Sequence, residues 1–505
     1  VKIAADPNPP NASVIENPSR EELRELASHH ETTTEYGSAA FVTEARSRTA
    51  EATRTTVDGE VTEEDLATVD RVHDYLEDAD LIRLDRKIGT ENRYGSYHCR
   101  LFVTKEFARL ALMFHGSLEP AEDPDAEPDF VTIDIPEWPG DRAILVDTET
   151  GATYVLNSDY FGEIKKSFLR QTMYRAKQDG HLGLHAGSKV VRARSEETGR
   201  LRDRGYLFFG LSGTGKTSLT CHDYDMDTDE GELVRVRQDD VVVLTEDAFC
   251  KGTEGGGFYI KTDGLSPDDQ EALYQAAISS RALMENVWVE DDGTVDFFNS
   301  KLTKNGRAIV PIDEVKNTDD TIDVPEITDI FFITRNPLVP AVGRLTPEQA
   351  AVAFMLGESI KTSAADPDAK GEQVRVVGTN PFIVGPAGEE GDIFHDLLTE
   401  NPDLHCYILN TGRIGEGDQA ADIRIQDTVA ILRAIAREAV EWTEDETVGF
   451  EVPESVPHVA PSKFRLRAHY EQEELERKLG ELRSQRGEWL DRFPKFPEHL
   501  AEALY

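Results

Sequence analysis

The chain has 505 residues, of which 97 are Asp or Glu and 54 are Lys or Arg, giving a formal net charge of −43. Such a balance excludes most functions that need a nucleic-acid backbone or an anionic bilayer as partner, because both carry the same sign of charge. It does not indicate disorder, since 39% of the residues are hydrophobic and apolar segments run along the whole chain.

The basic residues comprise only 18 Lys against 36 Arg. An acidic, lysine-poor, otherwise globular composition is that of a surface kept hydrated in strong salt. At molar salt the Debye length is about 3 Å, so self-repulsion is screened there and costly elsewhere. The expectation is a halophile cytosolic protein; the alternative is an acidic mesophile enzyme. Cys99, Cys221, Cys250 and Cys406 are far apart and form no CxxC pair, which fits a reducing compartment rather than a disulfide framework or a structural zinc site. The opening VKIAADPNPPNAS has no basic and apolar regions of a signal peptide, and no apolar run reaches the roughly 18 residues of a membrane span. A cytoplasmic location follows as an expectation, with no membrane or nucleic-acid partner.

In chain order, the first 20 residues are Pro/Asn/Ser-rich and read as extended. Residues 20–115 read as mostly helical, with amphipathic stretches EELRELASHH, EEDLATVDRVHDYLEDADLI and KEFARLALMF. An acidic Pro-rich loop, Leu118 to Asp129, precedes strand-like runs FVTIDI, AILVDT and GATYVLN, which close a first domain at residue 187. A second domain, 188–461, opens with KVVRARS and RGYLFFG. Its further strands are ELVRVR, VVVLTE, TVDFF, AIVPI, DIFFIT and CYILNT; its helices are DDQEALYQAAISSRALMENV, PEQAAVAFMLGESI and DTVAILRAIAREAVEW. Strands followed by helices with short connections predict an α/β sheet with crossovers. Residues 462–505 form a charged helical tail expected to pack on the outside.

Gly210-Leu211-Ser212-Gly213-Thr214-Gly215-Lys216-Thr217 fits G-x-x-x-x-G-K-[ST] at every fixed position and follows the apolar strand YLFF. Its glycines let backbone N–H groups cradle phosphate oxygens, Lys216 reaches the β/γ phosphates, and the Thr217 hydroxyl is placed for Mg²⁺. Asp239 and Asp240 end the strand-like ELVRVRQ, where neighbouring side chains point to opposite faces. One carboxylate then ligates a metal and the other orders its water. Tyr160-Phe-Gly-Glu-Ile-Lys165-Lys166 pairs two lysines in a lysine-poor chain, and His185 follows in GLHAGS. This Tyr-flanked basic patch suggests an anionic second substrate. Arg307 in TKNGR and Arg344 in GRLT suit clamps on phosphoryl or carboxylate oxygens.

The order YxGExKK, lone His, GLSGTGKT, Asp-Asp, ENV, NxR, RLT, NTG and IxDT resembles the ATP-utilising phosphoenolpyruvate carboxykinase family, from about Ser158 to Arg433. The resemblance implies an N-terminal α/β domain plus a C-terminal P-loop nucleotide-binding domain with a mixed sheet, and an active site in the cleft between them. It implies conversion of oxaloacetate and ATP to phosphoenolpyruvate, ADP and CO₂, with Mn²⁺ and Mg²⁺ as cofactors, by a monomer or small homo-oligomer. By the same resemblance Lys166, His185 and Asp240 ligate Mn²⁺, while Lys165, Tyr160 and Lys166 serve oxaloacetate. Lys216, Arg307 and Mg²⁺ on Thr217 neutralise the transferring phosphoryl group, and Asp239 orders metal-bound water. Lys261, Glu285 and Thr428 serve the nucleotide, and Arg46 in ARS (with Arg48 its competitor) holds a substrate carboxylate.

Three departures stand out. The family's EGGCYxK is Glu254-Gly-Gly-Gly-Phe-Tyr-Ile-Lys261 here, with one extra residue, and Lys261 still falls where a nucleotide-facing lysine is expected. The stretch between Thr217 and Asp239 is longer than the family's and acidic, and Asp422 occupies a position that is basic in the family, for which Arg424 two residues on is the expected substitute. Two other readings remain open: a P-loop serine kinase acting on a carrier protein, which does not need the paired lysines, and a nucleotide-binding module without catalysis.

Overall fold

Between Asp80 and Thr104 the chain places charged residues inside a sheet. The strands Asp80–Ile88 and Tyr97–Thr104 pair antiparallel. Asp85 is admitted to the interior because Arg83, Arg100 and His98 each approach one of its carboxylate oxygens within 2.8 Å. That density of charge hides the strand period in the sequence. Residues 20–115 do contain the expected helices, Arg20–Ala27, Glu63–Leu76 and Ala108–Ser117, but strands occupy much of the intervening chain, so the mostly helical expectation is corrected. The long helix expected through MENV is corrected likewise. It ends at Ala277, and Leu283–Glu285 is a strand paired with Ala39–Phe41.

The computed structural model describes residues 3, 8–9, 13–45, 52–211, 213–360 and 373–505. It is a mixed α/β structure that divides into two compact units, each discontinuous in sequence, unlike the linear three-part division expected. One comprises Val1–Ala176, Gly252–Thr318 and Phe382–Gly385; the other comprises Lys177–Lys251, Asp319–Pro381 and Pro386–Tyr505. Residues 462–505 thus fall inside the second unit.

In the first unit a mixed sheet runs in the order Ser13–Glu16, Asp80–Ile88, Tyr97–Thr104, Phe130–Ile135, Ala152–Leu156, Ala143–Asp147, Thr53–Thr55. Helix Glu63–Leu76 sets Val69, Val72 and Leu76 against Leu81, Phe102, Ile133, Leu145 and Tyr154 to form its core. A smaller sheet runs Gly257–Lys261, Arg307–Pro311, Leu283–Glu285, Ala39–Phe41, Thr32–Thr33.

In the second unit Val241–Leu244, Leu182–Arg194, Leu201–Phe209, Asp329–Thr334, His405–Asn410, Val342–Leu345, Phe450–Pro453 and Trp442–Asp445 are successive sheet neighbours. Its central strands are apolar on both faces, as burial between two layers requires. Phe208, Phe331 and Tyr407 stack on one face. On the other, Phe209 and Phe332 meet Phe354 and Phe394 from helices Pro347–Leu356 and Ala387–Glu400. Among the described residues no helix is long and apolar enough to cross a membrane.

The tail is part of this core rather than a decoration. Helix Gln472–Leu490 buries Leu475, Leu479, Leu482, Arg486 and Leu490, a stripe at helical spacing. Arg486, 2% exposed, donates to Glu358 Oε1 at 2.8 Å and Oε2 at 3.2 Å, and to the Tyr505 carbonyl at 2.7 Å. Arg375 donates to Glu358 Oε2 at 2.7 Å. Burial alone would raise the Glu358 carboxyl, but the two guanidiniums outweigh it and hold it down to about 2. A depressed carboxyl stabilises the fold fully above its ordinary value near 4.5, and that contribution is lost as pH falls toward 2. Arg486→Ala is expected to cost about 3–5 kcal/mol at neutral pH, because it strips one partner from a buried carboxylate. Melting scans from pH 7 to 2 should show the mutant lower at neutral pH and the difference shrinking through the acid range. Equal melting at pH 7 would contradict the assignment.

Candidate active site

The phosphate loop begins where strand Leu201–Phe209 ends. Gly213 and Gly215 take φ of +81° and +99°, left-handed values that other residues adopt only at a cost. They turn the chain back so that helix Lys216–Cys221 starts at Gly215. The carbonyl of Leu211 accepts from the Thr214 N–H at 3.1 Å and from its hydroxyl at 2.7 Å, which closes the loop on itself. Thr411 donates to the Thr214 carbonyl at 2.7 Å and ties the loop to the end of strand His405–Asn410. Ser212 lies outside the described residues.

Asp239 and Asp240 form the connection between strands Leu233–Gln238 and Val241–Leu244, not the end of one strand. Their side chains nonetheless serve different neighbours. Thr217 Oγ1 donates to Asp239 Oδ2 at 3.0 Å, and Lys216 Nζ donates to the Asp239 carbonyl at 2.9 Å. Asp240 Oδ1 lies 3.0 Å from His185 Nε2, and Lys216 Nζ lies 3.3 Å from the same nitrogen. His185 Nδ1 is 2.7 Å from the Thr379 carbonyl, which can only accept. That bond places a proton on Nδ1 and turns Nε2 toward the Asp240 carboxylate and the Lys216 ammonium. An imidazole nitrogen and a carboxylate oxygen side by side are ligand types that a divalent cation takes, with the backbone carbonyl fixing the ring as an outer partner does in metal sites.

The strand Leu182–Arg194 carries His185, and two residues on it presents Gly187 on the same face. A Cβ on Gly187 would lie 2.2 Å from Thr220 Oγ1, so the glycine lets the phosphate-loop helix seat directly on the strand.

In the first unit, helix Phe161–Gln178 carries the paired lysines. Lys165 Nζ lies 3.3 Å from Glu254 Oε1 and 5.3 Å above the Tyr259 ring. Lys166 Nζ donates to Glu163 Oε1 at 3.1 Å and sits 5.7 Å from the rings of both Tyr160 and Phe382. Arg307 stands 5.5 Å from the Tyr259 ring and donates to Asn305 Oδ1 at 2.9 Å; Asn305 Nδ2 is in turn 3.5 Å from the Tyr160 hydroxyl. Lys261 is the direct antiparallel partner of Arg307. Burial lowers the Lys261 ammonium, opposed by Asp263 and aided by Arg307. Cations side by side on one strand pair repel unless an anion joins them.

Glu285, expected to face the nucleotide, is wholly enclosed. It accepts from the Phe161 N–H at 2.8 Å and from the Tyr259 hydroxyl at 2.6 Å, with Arg109 3.8 Å away. Burial raises its carboxyl despite Arg109, so it supports the lysine helix and Tyr259 from behind. Arg109 also donates to Asp159 Oδ2 at 2.6 Å. Arg109 and Asp159 were not singled out from sequence, and Glu254 and Tyr259 stood there only inside the family-like Glu254–Lys261 stretch, without a role of their own. The available signal was the alternation that puts Tyr259 on the same strand face as Lys261.

Arg344 pairs with Glu451 at 2.6 Å and lies 5.2 Å from the Trp442 ring, a structural role rather than an anion clamp. The chain is a strand only over Ala421–Asp422. A helix begins at Ile425 and runs to Ala436, so Ile423 is buried while Ile425 is 43% exposed. Asp422 pairs with Arg413 at 3.1 Å. Arg424 is exposed at the helix start, and the buried Thr428 hydroxyl reaches its carbonyl at 3.4 Å. Arg46 and Arg48 lie outside the described residues.

The comparisons with known proteins define the class of enzyme. A model of the phosphoenolpyruvate carboxykinase family matches residues 12–462, reaching well before the segment whose motifs carry the resemblance and stopping at the tail. The chain belongs to the ATP-utilising phosphoenolpyruvate carboxykinase family. It is 37% identical over 450 residues to the phosphoenolpyruvate carboxykinase (ATP) of Aeropyrum pernix, covering 88% of this chain and 87% of that protein. The proteins of the same name from Mesorhizobium japonicum and a Methylobacterium species are 27% identical over 383 residues and 28% over 424. The first match covers 71% of this chain and 66% of the relative, the second 78% and 73%.

Gly187→Ala tests the seating of the phosphate-loop helix. The added methyl must push Thr220 aside in a packed interior, a cost of about 1–3 kcal/mol. A calorimetric melt should show the loss; an unchanged melting temperature would mean that the helix does not rest on this strand as described.

Proposed function

We propose that the chain converts oxaloacetate and ATP to phosphoenolpyruvate, ADP and CO₂, in either direction, and that the residue sets of the two units serve this one reaction. The observation that carries the reading is the continuous chain of contacts from Thr217 and Lys216 through Asp239 and Asp240 to His185. It couples a phosphate-binding loop to a cation-ligating pair, which a plain nucleotide-binding module does not need. Paired lysines beside Tyr160 favour it over a serine kinase acting on a carrier protein.

In this reading Tyr160 and Lys165 bind oxaloacetate, with Arg46 on its carboxylate. The amides of residues 210–215 and the Lys216 ammonium bind the triphosphate, and Lys216 and Arg307 offset negative charge as the phosphoryl group moves. Lys166, His185 and Asp240 would hold Mn²⁺, Thr217 would hold Mg²⁺, and Asp239 orders the Thr217 hydroxyl. Bound there, the two cations would supply Lewis-acid charge to the substrates. A lysine ligand must be neutral, and a neighbouring divalent charge favours that form. Lys261, Arg424 and Thr428 serve the nucleotide. Arg424, free of the Arg413–Asp422 pair, retains a preference for ATP over GTP, and kcat/KM for the two nucleotides measures it.

A coupled assay with oxaloacetate, ATP and Mn²⁺ in molar KCl should yield phosphoenolpyruvate; phosphorylation of a protein serine instead would overturn the reading. His185→Ala should weaken Mn²⁺ binding at least about tenfold, followed by titration with the ion alone, while ATP affinity changes little. We also propose that the acidic surface is an adaptation to concentrated salt. Lowering KCl from molar to tenth-molar should then inactivate or unfold the protein as repulsion among its charges is unscreened. Activity and melting temperature that hold in dilute salt would refute the halophile origin without touching the enzyme assignment.

A further inference from the structure

Two residues beyond Gly187, the strand Leu182–Arg194 presents Lys189, whose exposure is 0%. A lysine enclosed in this way needs a reason, because burying an ammonium is expensive unless its protons are taken up. Its Nζ donates to the carbonyls of Leu219 at 3.1 Å and His222 at 2.5 Å, and it stands 3.9 Å from the centre of the Tyr224 ring. Three protons thus have two carbonyls and one aromatic face.

The carbonyls belong to the last turn of helix Lys216–Cys221 and the residue capping it. Helix carbonyls at that end have no partner within the helix, and a cation there also suits the helix dipole. Tyr224, fully buried, donates its hydroxyl to the same Leu219 carbonyl at 2.9 Å. It takes φ of +57° and Asp225 takes +49°. Two successive left-handed residues with side chains are strained and persist only where their surroundings hold them. Lys189 holds the ring, and Arg433 donates to the carbonyls of Tyr224 and Asp225 at 3.2 and 3.4 Å. This turn opens the acidic stretch that lengthens the chain between Thr217 and Asp239.

We propose that Lys189 is a positioning residue for nucleotide binding: it locks the far end of the phosphate-loop helix, and the acidic turn after it, to the strand that bears His185. The helix is six residues, about 9 Å long, so a shift at Cys221 is carried to Lys216 and Thr217 at the other end. His185, Gly187 and Lys189 then form one face that meets Lys216, Thr220 and the Leu219 and His222 carbonyls. Burial also lowers the Lys189 ammonium to about 7, opposed by Cys221 and Asp223, in keeping with its enclosure. The inference rests on the reading of residues 210–217 as the triphosphate site.

The test compares wild type with Lys189→Met, which keeps the stem and removes the donors. The Kd for ATP, measured by calorimetry without oxaloacetate, and the KM for ATP should both rise about tenfold or more, while the KM for oxaloacetate stays within about twofold. A folded Lys189→Met protein whose ATP Kd and KM match wild type overturns the proposal, as does an equal rise in both KM values. If the variant does not fold, hydrogen exchange on the wild type decides. ATP should slow exchange at the amides of residues 219–225, because coupling between loop and turn is reciprocal, and unchanged exchange there overturns the proposal. A wild type that binds no ATP removes the triphosphate site and this inference with it. A wild type that binds ATP but forms no phosphoenolpyruvate refutes only the carboxykinase reading, and the Kd comparison still decides the role of Lys189.

Discussion

A helix of six residues does not hold together in water by its own hydrogen bonds, yet Lys216–Cys221 carries the lysine and threonine on which phosphate binding depends. It is held because one face of the strand Leu182–Arg194 fits it along its length, with a ring at one end, bare backbone in the middle and an ammonium at the other. The same strand pairs with Leu201–Phe209, which delivers the loop, and with Val241–Leu244, which follows the Asp239–Asp240 turn. Loop, turn and histidine are therefore set by the register of one sheet rather than by three independent segments.

The parts of this arrangement that sequence discloses are those whose chemistry leaves no choice of residue. The glycines, Lys216 and Thr217 are legible because backbone amides must face phosphate and only certain side chains complete the cradle. Asp239 and Asp240 were legible as a pair but misplaced onto one strand, since a tight connection between strands and a strand end look alike when both are acidic. Arg109 was illegible, and Glu254 and Tyr259 were legible only as parts of a family-like stretch, not by what they do. Each is an ordinary residue whose importance arises from distant partners, as when Phe161 and Tyr259 both bond to Glu285. Strand Asp80–Ile88 was missed for a related reason: four of its nine residues are charged beyond the leading aspartate, and only the pairing of Asp85 across the sheet makes that tolerable.

Cations are scarce in this chain, and their placement is correspondingly informative. Lys165, Lys166, Lys261 and Arg307 gather in the first unit around Tyr160 and Tyr259, where rings and a few carboxylates hold them apart. Against a surface of opposite sign, such a cluster forms a local positive field that favours anionic substrates over the surroundings. Other basic residues are spent on closing the acidic insertion: Arg437 reaches both oxygens of Glu232 at 2.9 and 2.5 Å, and Arg194 donates to the Glu230 carbonyl. Some cations of this acidic chain are thus enclosed against carboxylates and carbonyls, as Arg109, Lys189 and Arg486 are, while others, such as Arg194 and Arg477, pair at the surface.

The triad of Glu358, Arg375 and Arg486 has a consequence in time. Glu358 and Arg486 are 128 residues apart in sequence, so during synthesis at about 5–20 residues per second the glutamate waits on the order of ten seconds for its second guanidinium. Until then helix Pro347–Leu356 also lacks Trp489, whose indole donates to the Met355 carbonyl at 2.9 Å. The second unit, although its sheet neighbours are complete once Phe450–Pro453 has been made, can close its interior only when the tail helix arrives. A nascent chain stalled before that point would present an open apolar face flanked by a partly neutralised carboxylate, the kind of surface that chaperones recognise.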